Sequence, residues 1–354
     1  MASSDGTTPP MIGVDHRGGG SGTTLSAIHP DIIRAHILAR LDGPALAAAG
    51  CASSELHALS ADENLWRDIC TAMWPSVADP ALRHLISTFP AGHRSFFSDS
   101  FPVLDRVPKL EFNPDHPSPS SGLISAVDIF YQDKLVFSKV KETDTLTEWF
   151  QCSPFLLDLL DPKDSVQTPV QRAAVNDGAW MKHLEENLTL SWILIDPTRK
   201  RAANLSSRRP VSVQRHWLTG EIQLRYATIM AGPDDRRLSP SPATEHVQCG
   251  MVVTCGAEEG GEMHVREVGM HVEDMEGRHL NGKESMVVLR NAIERGERKK
   301  EREAGERREK FEEYLARRRE MREKKQRRER ALDLACIVTG VSIFVAFWSF
   351  VLFR

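Results

Sequence analysis

The stretch LSAIHPDIIRAHILARLDGPALAAAGCASSELHALSADENLWRDICTAMWP, residues 25–75, decides how the rest of the chain is read. Its start and stop signals predict three helices. The first runs from Pro30 or Asp31 to Leu41, because Ile33, Ile37 and Leu41 recur at fourfold spacing and would share one face. Asp42-Gly43-Pro44, an N-cap acid with proline in the first turn, opens the second, which carries Leu46, the alanines at 47–49 and Cys51, and extends toward Leu56 and Leu59. Ser60 with Glu63 has the spacing of a capping box and opens the third, with Leu65, Trp66 and Ile69 on its apolar side. The first helix is apolar on more than one side (Ile32, Ile33, Ile37, Leu38, Leu41). A module this small cannot cover both, which leaves a face for a partner.

At the other end, Leu334 to Phe353 is a run of 20 residues without a charge. At about 1.5 Å per residue a helix of that length matches the hydrocarbon core of a bilayer. Its apolar side chains include Leu334, Ile337, Val341, Phe344, Phe347, Trp348, Phe350 and Phe353. Only Arg354 follows, so insertion after translation, as in a tail-anchored protein, is expected. Before it, Arg290 to Arg330 holds 18 basic and 11 acidic residues, while the whole chain of 354 residues carries a net charge of −4. An acidic body is thus joined to a basic stalk. By the positive-inside rule the cluster at 316–330 belongs in the cytosol, and no signal peptide at the N-terminus opposes that orientation. The expected location is a cytosol-facing membrane, with the endoplasmic reticulum first. Within the stalk, Glu294/Arg298, Glu303/Arg307, Glu306/Lys310, Glu313/Arg317, Glu320/Lys324 and Glu323/Arg327 have the favourable order for helical ion pairs. A solvated single helix, or one continuous with the anchor, is expected there, with Gly296 and Gly305 weakening its start. Nucleic-acid binding is not expected, since neither a zipper nor stacking aromatics accompany the arginines.

Between the ends the texture is β. LISAVDIFYQDKLVFSKV predicts a hairpin turning at Gln132-Asp133, LTLSWILID a strand, and VSVQRHWLTGEIQLRYATIM a second hairpin around Thr219-Gly220. HVQCGMVVTC and EMHVREVGMHVED add more strands, and one helix is expected at Pro154–Leu160. Seven or eight short strands separated by turns point to an antiparallel sandwich. The fold class is therefore α+β: an N-terminal three-helix module, a mostly antiparallel β-sandwich-like middle domain, a long charged helix and a C-terminal transmembrane helix. The expected organisation is a disordered tail over 1–24, the helical module over 25–76, short helices and a Pro/Ser linker over 77–122, the β-rich domain over 123–289, the stalk over 290–330 and the anchor over 331–354.

Signs of chemistry are sparse. The six cysteines never form CxxC, which disfavours a disulfide framework and a zinc ribbon, and Cys249 and Cys255 are expected on one face only if their strand is broken or bent, so no redox pair is expected. His264, His271 and His279 match no metal motif, and seven residues of regular strand put His264 and His271 on opposite faces. No P-loop, GxGxxG or GxSxG occurs. Trp149, Trp180, Trp192 and Trp217 are expected in the core, and Arg199-Lys200-Arg201 with Arg208-Arg209 in a solvated loop. No catalytic residue, metal site or cofactor is expected.

Residues 25–75 resemble an F-box. Pro30-Asp31 ahead of an amphipathic helix, then Ile37-Leu38, Arg40-Leu41, Leu46, a Cys/Ala-rich helix and the closing Leu65-Trp66 follow that family's layout. Leu41-Asp42-Gly43-Pro44, Trp74-Pro75 and Phe96-Phe97-Ser98-Asp99-Ser100-Phe101-Pro102 are similar to a plant F-box subfamily with a C-terminal hydrophobic tail. The chain departs from the family pattern at His29-Pro30, where Leu-Pro is usual, and at Ser53-Ser54-Glu55-Leu56, where Lys-x-Trp is usual. The resemblance implies docking to a Skp-type adaptor, and through it to a cullin, in a ubiquitin ligase, while the rest of the chain selects a protein substrate. Pro30, Ile33, Ile37, Leu38, Leu41 and Leu46 would be the adaptor contacts, with Leu65 and Trp66 closing the module. The other reading is a membrane-anchored scaffold whose β-rich domain resembles the lectin-like sandwiches attached to some plant F-box proteins.

Overall fold

The computed structural model describes residues 28–108, 122–172, 176–232, 246–257, 260–299 and 305–354. The N-terminal tail and most of the Pro/Ser linker lie outside the described residues. The chain forms two compact units, Met1–Leu65 and Trp66–Arg354.

The first unit is helical. Pro30–Ile32 (α1) leads into a π turn, Ile33–Ile37, and a 3-10 turn, Leu38–Arg40. Gly43–Ala52 (α2) and Ser54–Ser60 (α3) follow, and Glu63–Met73 (α4) crosses into the second unit. All three predicted helices need correction. The first is not a regular helix, because Leu38 N–H bonds the carbonyls of both Ile33 and Arg34. The second stops at Ser53, whose hydroxyl caps a separate α3 by accepting from Leu56 N at 3.1 Å. Ser60, expected to open the last helix, instead closes α3, and Asp62 Oδ1 accepts from Asn64 N at 2.9 Å where α4 begins.

The second unit continues with a 3-10 turn at Pro75–Ala78, then Pro80–Ser87 (α5) and Gly92–Ser100 (α6). Trp66, Trp74, Phe96, Phe97 and Phe101 form a contiguous aromatic cluster, with ring centroids 4.9 to 6.0 Å apart. Twelve strands and four more helices then follow in chain order among the described residues. Leu104–Arg106 (β1), Leu123–Tyr131 (β2) and Lys134–Thr143 (β3) precede Glu148–Cys152 (α7), Leu156–Asp158 (β4) and Val166–Gln171 (β5). Asp177–Asn187 (α8) leads into Leu188–Asp196 (β6), Arg201–Asn204 (β7), Ser212–Arg215 (β8), Ile222–Ala231 (β9), His246–Gly256 (β10) and Glu262–Asp274 (β11). Gly282–Arg295 (α9), Glu297–Arg298 (β12) and Glu306–Leu352 (α10) complete the chain.

One sheet has the order β3-β2-β6-β7, and a second the order β4-β11-β10-β9-β8, with β5 also on β11. All of their pairings are antiparallel. The β2–β3 turn comes where the sequence puts it, with Gln132 and Asp133 both at positive φ (48° and 62°) as a two-residue hairpin turn requires. Inner-face side chains of both sheets, among them Val127, Trp192, Tyr226 and Met251, belong to one buried core, sealed by Trp180 and Leu184 of α8 and Leu289 of α9. Asp128 points the other way on β2. Its carboxylate accepts Ser76 N (2.9 Å), Ser76 Oγ (2.5 Å) and Ser138 Oγ (2.7 Å), tying the Pro75–Ala78 turn to the sheet.

Several expectations are overturned. Residues 154–160 form no helix: Phe155, Leu157 and Leu159 are buried while Leu156 is 56% exposed, the period of a strand, and β4 pairs with β11. Residues 290–330 are not one helix, since α9 ends at Arg295 and α10 starts after Gly305, whose φ of +125° breaks the run. Glu294 therefore pairs with Arg199 (2.5 Å) instead of Arg298, and Glu303 lies outside the described residues. Glu306–Lys310, Glu313–Arg317 and Glu323–Arg327 do form.

Nor are the first turns of α10 solvated. Phe311 is buried with Val211 and Ala227, Leu315 packs beside Ile229, and Tyr314 Oη donates to Asp274 O at 3.2 Å. Arg318 pairs with Glu273 (3.3 Å) and Lys325 with Glu276 (3.1 Å). Beyond them α10 continues without interruption through the apolar run, where the best window has a mean hydropathy of 2.2 and none of it is buried.

Candidate functional site

The exposed apolar face of the first unit begins at Pro30, whose fixed φ suits a helix start. Arg34 is held between Asp31 (3.3 Å) and Asp62 (3.1 Å), fixing this segment against the start of α4. The π turn then decides which side chains face water. With one extra residue in the turn, Ile33 and Leu38, five apart, both point inward and are 0% and 1% exposed. Ile37 is pushed outward to 43% exposure, beside Ile32 at 50%. The fourfold spacing of Ile33, Ile37 and Leu41 on one face does not survive this change of phase.

Asp42 Oδ1 accepts from Ala45 N at 2.8 Å and starts α2, while α2 and α3 approach closely at Gly50. A Cβ at Gly50 would lie 2.5 Å from Ser60 Oγ, so a larger residue there would have to displace that hydroxyl. His57 Nδ1, 3.1 Å from Gly50 O, joins the same crossing.

The eight residues proposed from the sequence therefore separate into two groups. Pro30 and Ile37 are exposed and Leu41 is half-buried, whereas Ile33, Leu38, Leu46, Leu65 and Trp66 are buried. Ile33, Leu38, Leu46 and Leu65 of this group are buried residues of the first unit, whereas Trp66 belongs to the aromatic cluster of the second unit. Ile32 is the apolar surface residue missing from the set; the only trace of it in the sequence is that the first helix is apolar on several sides.

The other sequence candidates are absorbed by structure. Arg266 is an extra residue in β11, since Thr254 opposes Glu267 and Cys255 opposes Val265. This bulge reverses the face of every residue beyond it, so His264 and His271 lie on the same outer face, against the expectation from a regular strand. Glu273 lies 3.4 Å from His271, 3.9 Å from His279 and 3.3 Å from Arg318, and burial pushes the His271 imidazole below its ordinary value. Against the expectation that this needs a broken strand, Cys249 and Cys255 share the inner face of β10, which pairs residue for residue with β9 across both, six residues being an even number, and burial pushes both thiols up to about 12, which suppresses thiolate chemistry. Trp180 and Trp192 are core, but Trp149 on α7 and Trp217 at the β8–β9 tip are 81% and 88% exposed. In the arginine cluster Arg199 bonds Asp196 and Arg201 bonds Asp99 through two nitrogens, so only part of it is the solvated loop expected. Leu334, Ile337, Val341, Phe344, Phe347, Trp348, Phe350 and Phe353 are all exposed.

No protein-family model matches the chain, and no solved structure does. Curated proteins do. The chain is 41% identical over 346 residues to F-box protein At2g27310 of Arabidopsis thaliana, covering 94% of this chain and 98% of the relative. It is 43% identical to F-box protein At3g44326 (95% and 92% covered) and 44% identical to probable F-box protein At2g36090 (93% and 94%), both from the same plant. These matches cover 93% to 95% of this chain, and on them it belongs to the F-box protein family.

Proposed function

We propose that this protein is the substrate-recognition subunit of an SCF-type cullin-RING ubiquitin ligase, tethered to a cytosol-facing membrane by the apolar part of α10. The full-length relationship to F-box proteins carries the reading. The exposed Ile32 and Ile37, with Pro30 and Leu41 beside them, supply an apolar patch of the kind that anchors a helical partner. Ile33, Leu38, Leu46 and Leu65 act by holding that patch in shape. Ubiquitin transfer is assigned to other subunits, and the β-rich unit selects the protein to be modified. The basic turns before Leu334 favour the cytosolic side, and the endoplasmic reticulum is the membrane proposed.

The test is co-elution of the detergent-solubilised full chain with a Skp-type adaptor. Wild type should co-elute, and Ile32→Asp with Ile37→Asp should abolish it while the far-UV spectrum is retained, because neither side chain is in the core. Retention of the double variant on the adaptor would refute the assignment.

A further inference from the structure

A cavity of about 270 Å³ opens in the second unit where the chain after α4 meets β2, β6 and β7. Its apolar wall is built by Trp74, Phe101, Val103, Phe130 and Leu190, of which Trp74, Val103 and Leu190 are buried. Ser191 and Asn204 line it too, and Asn204 Nδ2 donates to Ser191 Oγ at 3.0 Å. Arg208 and Asp133, the second of them in the β2–β3 turn, line its exposed rim. Both are exposed, and among the described residues neither side chain has a hydrogen-bond or ion-pair partner. Arg208 thus differs from Arg199 and Arg201, whose guanidinium groups are held by carboxylates.

The backbone at Arg208 is also unusual. Its φ is +64°, a left-handed conformation that costs a non-glycine residue on the order of 1 kcal/mol. Its neighbours hold it there: Leu190 N donates to Arg208 O at 2.9 Å, and Arg208 N donates to Ser206 Oγ at 3.0 Å. A left-handed residue held by hydrogen bonds at the mouth of a cavity suits a positioned binding group.

The cavity is smaller than the usual range for drug-sized ligands but has room for a single large side chain. Its opposite charges at the rim disfavour a polyanion. A peptide segment fits both features, with an apolar side chain against the aromatic wall, a neighbouring carboxylate on Arg208 and a backbone N–H toward Asp133. We infer that this cavity is the substrate-docking pocket, and that it takes a protein segment in which a large apolar residue adjoins aspartate or glutamate. The inference rests on the substrate-receptor reading above.

Fluorescein-labelled peptides test it on the full chain in detergent. The probes are capped hexapeptides with Phe-Glu or Glu-Phe between glycine pairs, and their Gln counterparts. At least one Glu peptide should bind, and its Gln counterpart about tenfold or more weakly, as for loss of a charged hydrogen bond. Arg208→Asn, which keeps a residue tolerant of the left-handed conformation, should weaken the Glu peptide by the same factor and leave the Gln peptide unchanged. Adaptor co-elution should survive Arg208→Asn, while the Ile32/Ile37 double variant should lose the adaptor yet still bind peptide, so failure of either idea is visible separately. No binding by either Glu peptide, equal binding of Glu and Gln forms, or indifference to Arg208→Asn would overturn the proposal. So would saturable binding of phenylacetate without binding of peptide, which would make the cavity a small-acid site.

Discussion

Asp128 has no exposed surface, and burial pushes its carboxyl above the ordinary aspartate range despite the hydrogen bonds from Ser76 and Ser138, which pull it down. The folded state therefore holds that proton more tightly than the unfolded chain. Stability from this group is fully present below the ordinary aspartate pKa, about 3.9, and is lost as pH rises through the raised folded value. An asparagine copies the protonated carboxyl, with Oδ1 accepting from Ser76 N and Ser138 Oγ and Nδ2 donating to Ser76 Oγ. Asp128→Asn should thus flatten this part of the stability profile, read from urea midpoints between pH 4 and pH 7. Asp128→Ala, which strands the buried Ser76 N–H, should cost about 2 kcal/mol or more.

At the scale of elements, α10 is bolted to the outer face of β9 through few side chains. Burial raises the Tyr314 phenol to about 12, so it remains the donor to Asp274 O across the physiological range. Phe311→Ala should weaken this docking by about 3 kcal/mol, and Tyr314→Phe by about 1 kcal/mol. Hydrogen exchange should show it: amides over 306–322 lose protection by roughly a hundredfold in the first variant and a few-fold in the second, while those of β6 and β10 keep theirs. The signals for this contact were present in the sequence, since Phe311, Tyr314 and Leu315 stand out in a charged stretch. Too sparse for a heptad seam, they were consistent with solvation, and only the neighbouring sheet supplies their partner. The long strands and both hairpin turns were legible because alternation and turn chemistry are local. The Arg266 bulge and the π turn at Ile33–Ile37 were not, because each inserts a residue without altering the local composition; the bulge reverses the face of the side chains beyond it, and the π turn rotates those that follow by about 100°. That is why Ile33 and Leu38, read from the sequence as adaptor contacts, are buried while Ile37 faces water, and why regular alternation puts His264 and His271 on different sides.

For the whole molecule, the proposed span makes a simple prediction. Removal of Leu334–Arg354 should move the protein from a carbonate-resistant pellet to the soluble fraction with the second unit's fold intact, since none of that segment is buried against it. Pelleting unchanged by the truncation would refute the tether. The direction of α10 adds a constraint on orientation. It packs on β9 near Ala227, reaches Asp274 and Glu276 farther along, and so leaves the sheet at the end opposite the β8–β9 tip that exposes Trp217 and Leu218. On the proposed topology that tip faces the cytosol.

The unbroken course of α10 through Leu352 also sets a distance. From Lys325, fixed on Glu276, to Leu334, the start of the uncharged run, is nine residues, about 14 Å of helix. A helix cannot shorten as a flexible linker can, so the second unit would ride at a nearly constant height over the lipid. Lysines of a membrane-embedded target would then be reachable only within a band above the surface, making the helix a gauge of which sites on a substrate can be modified.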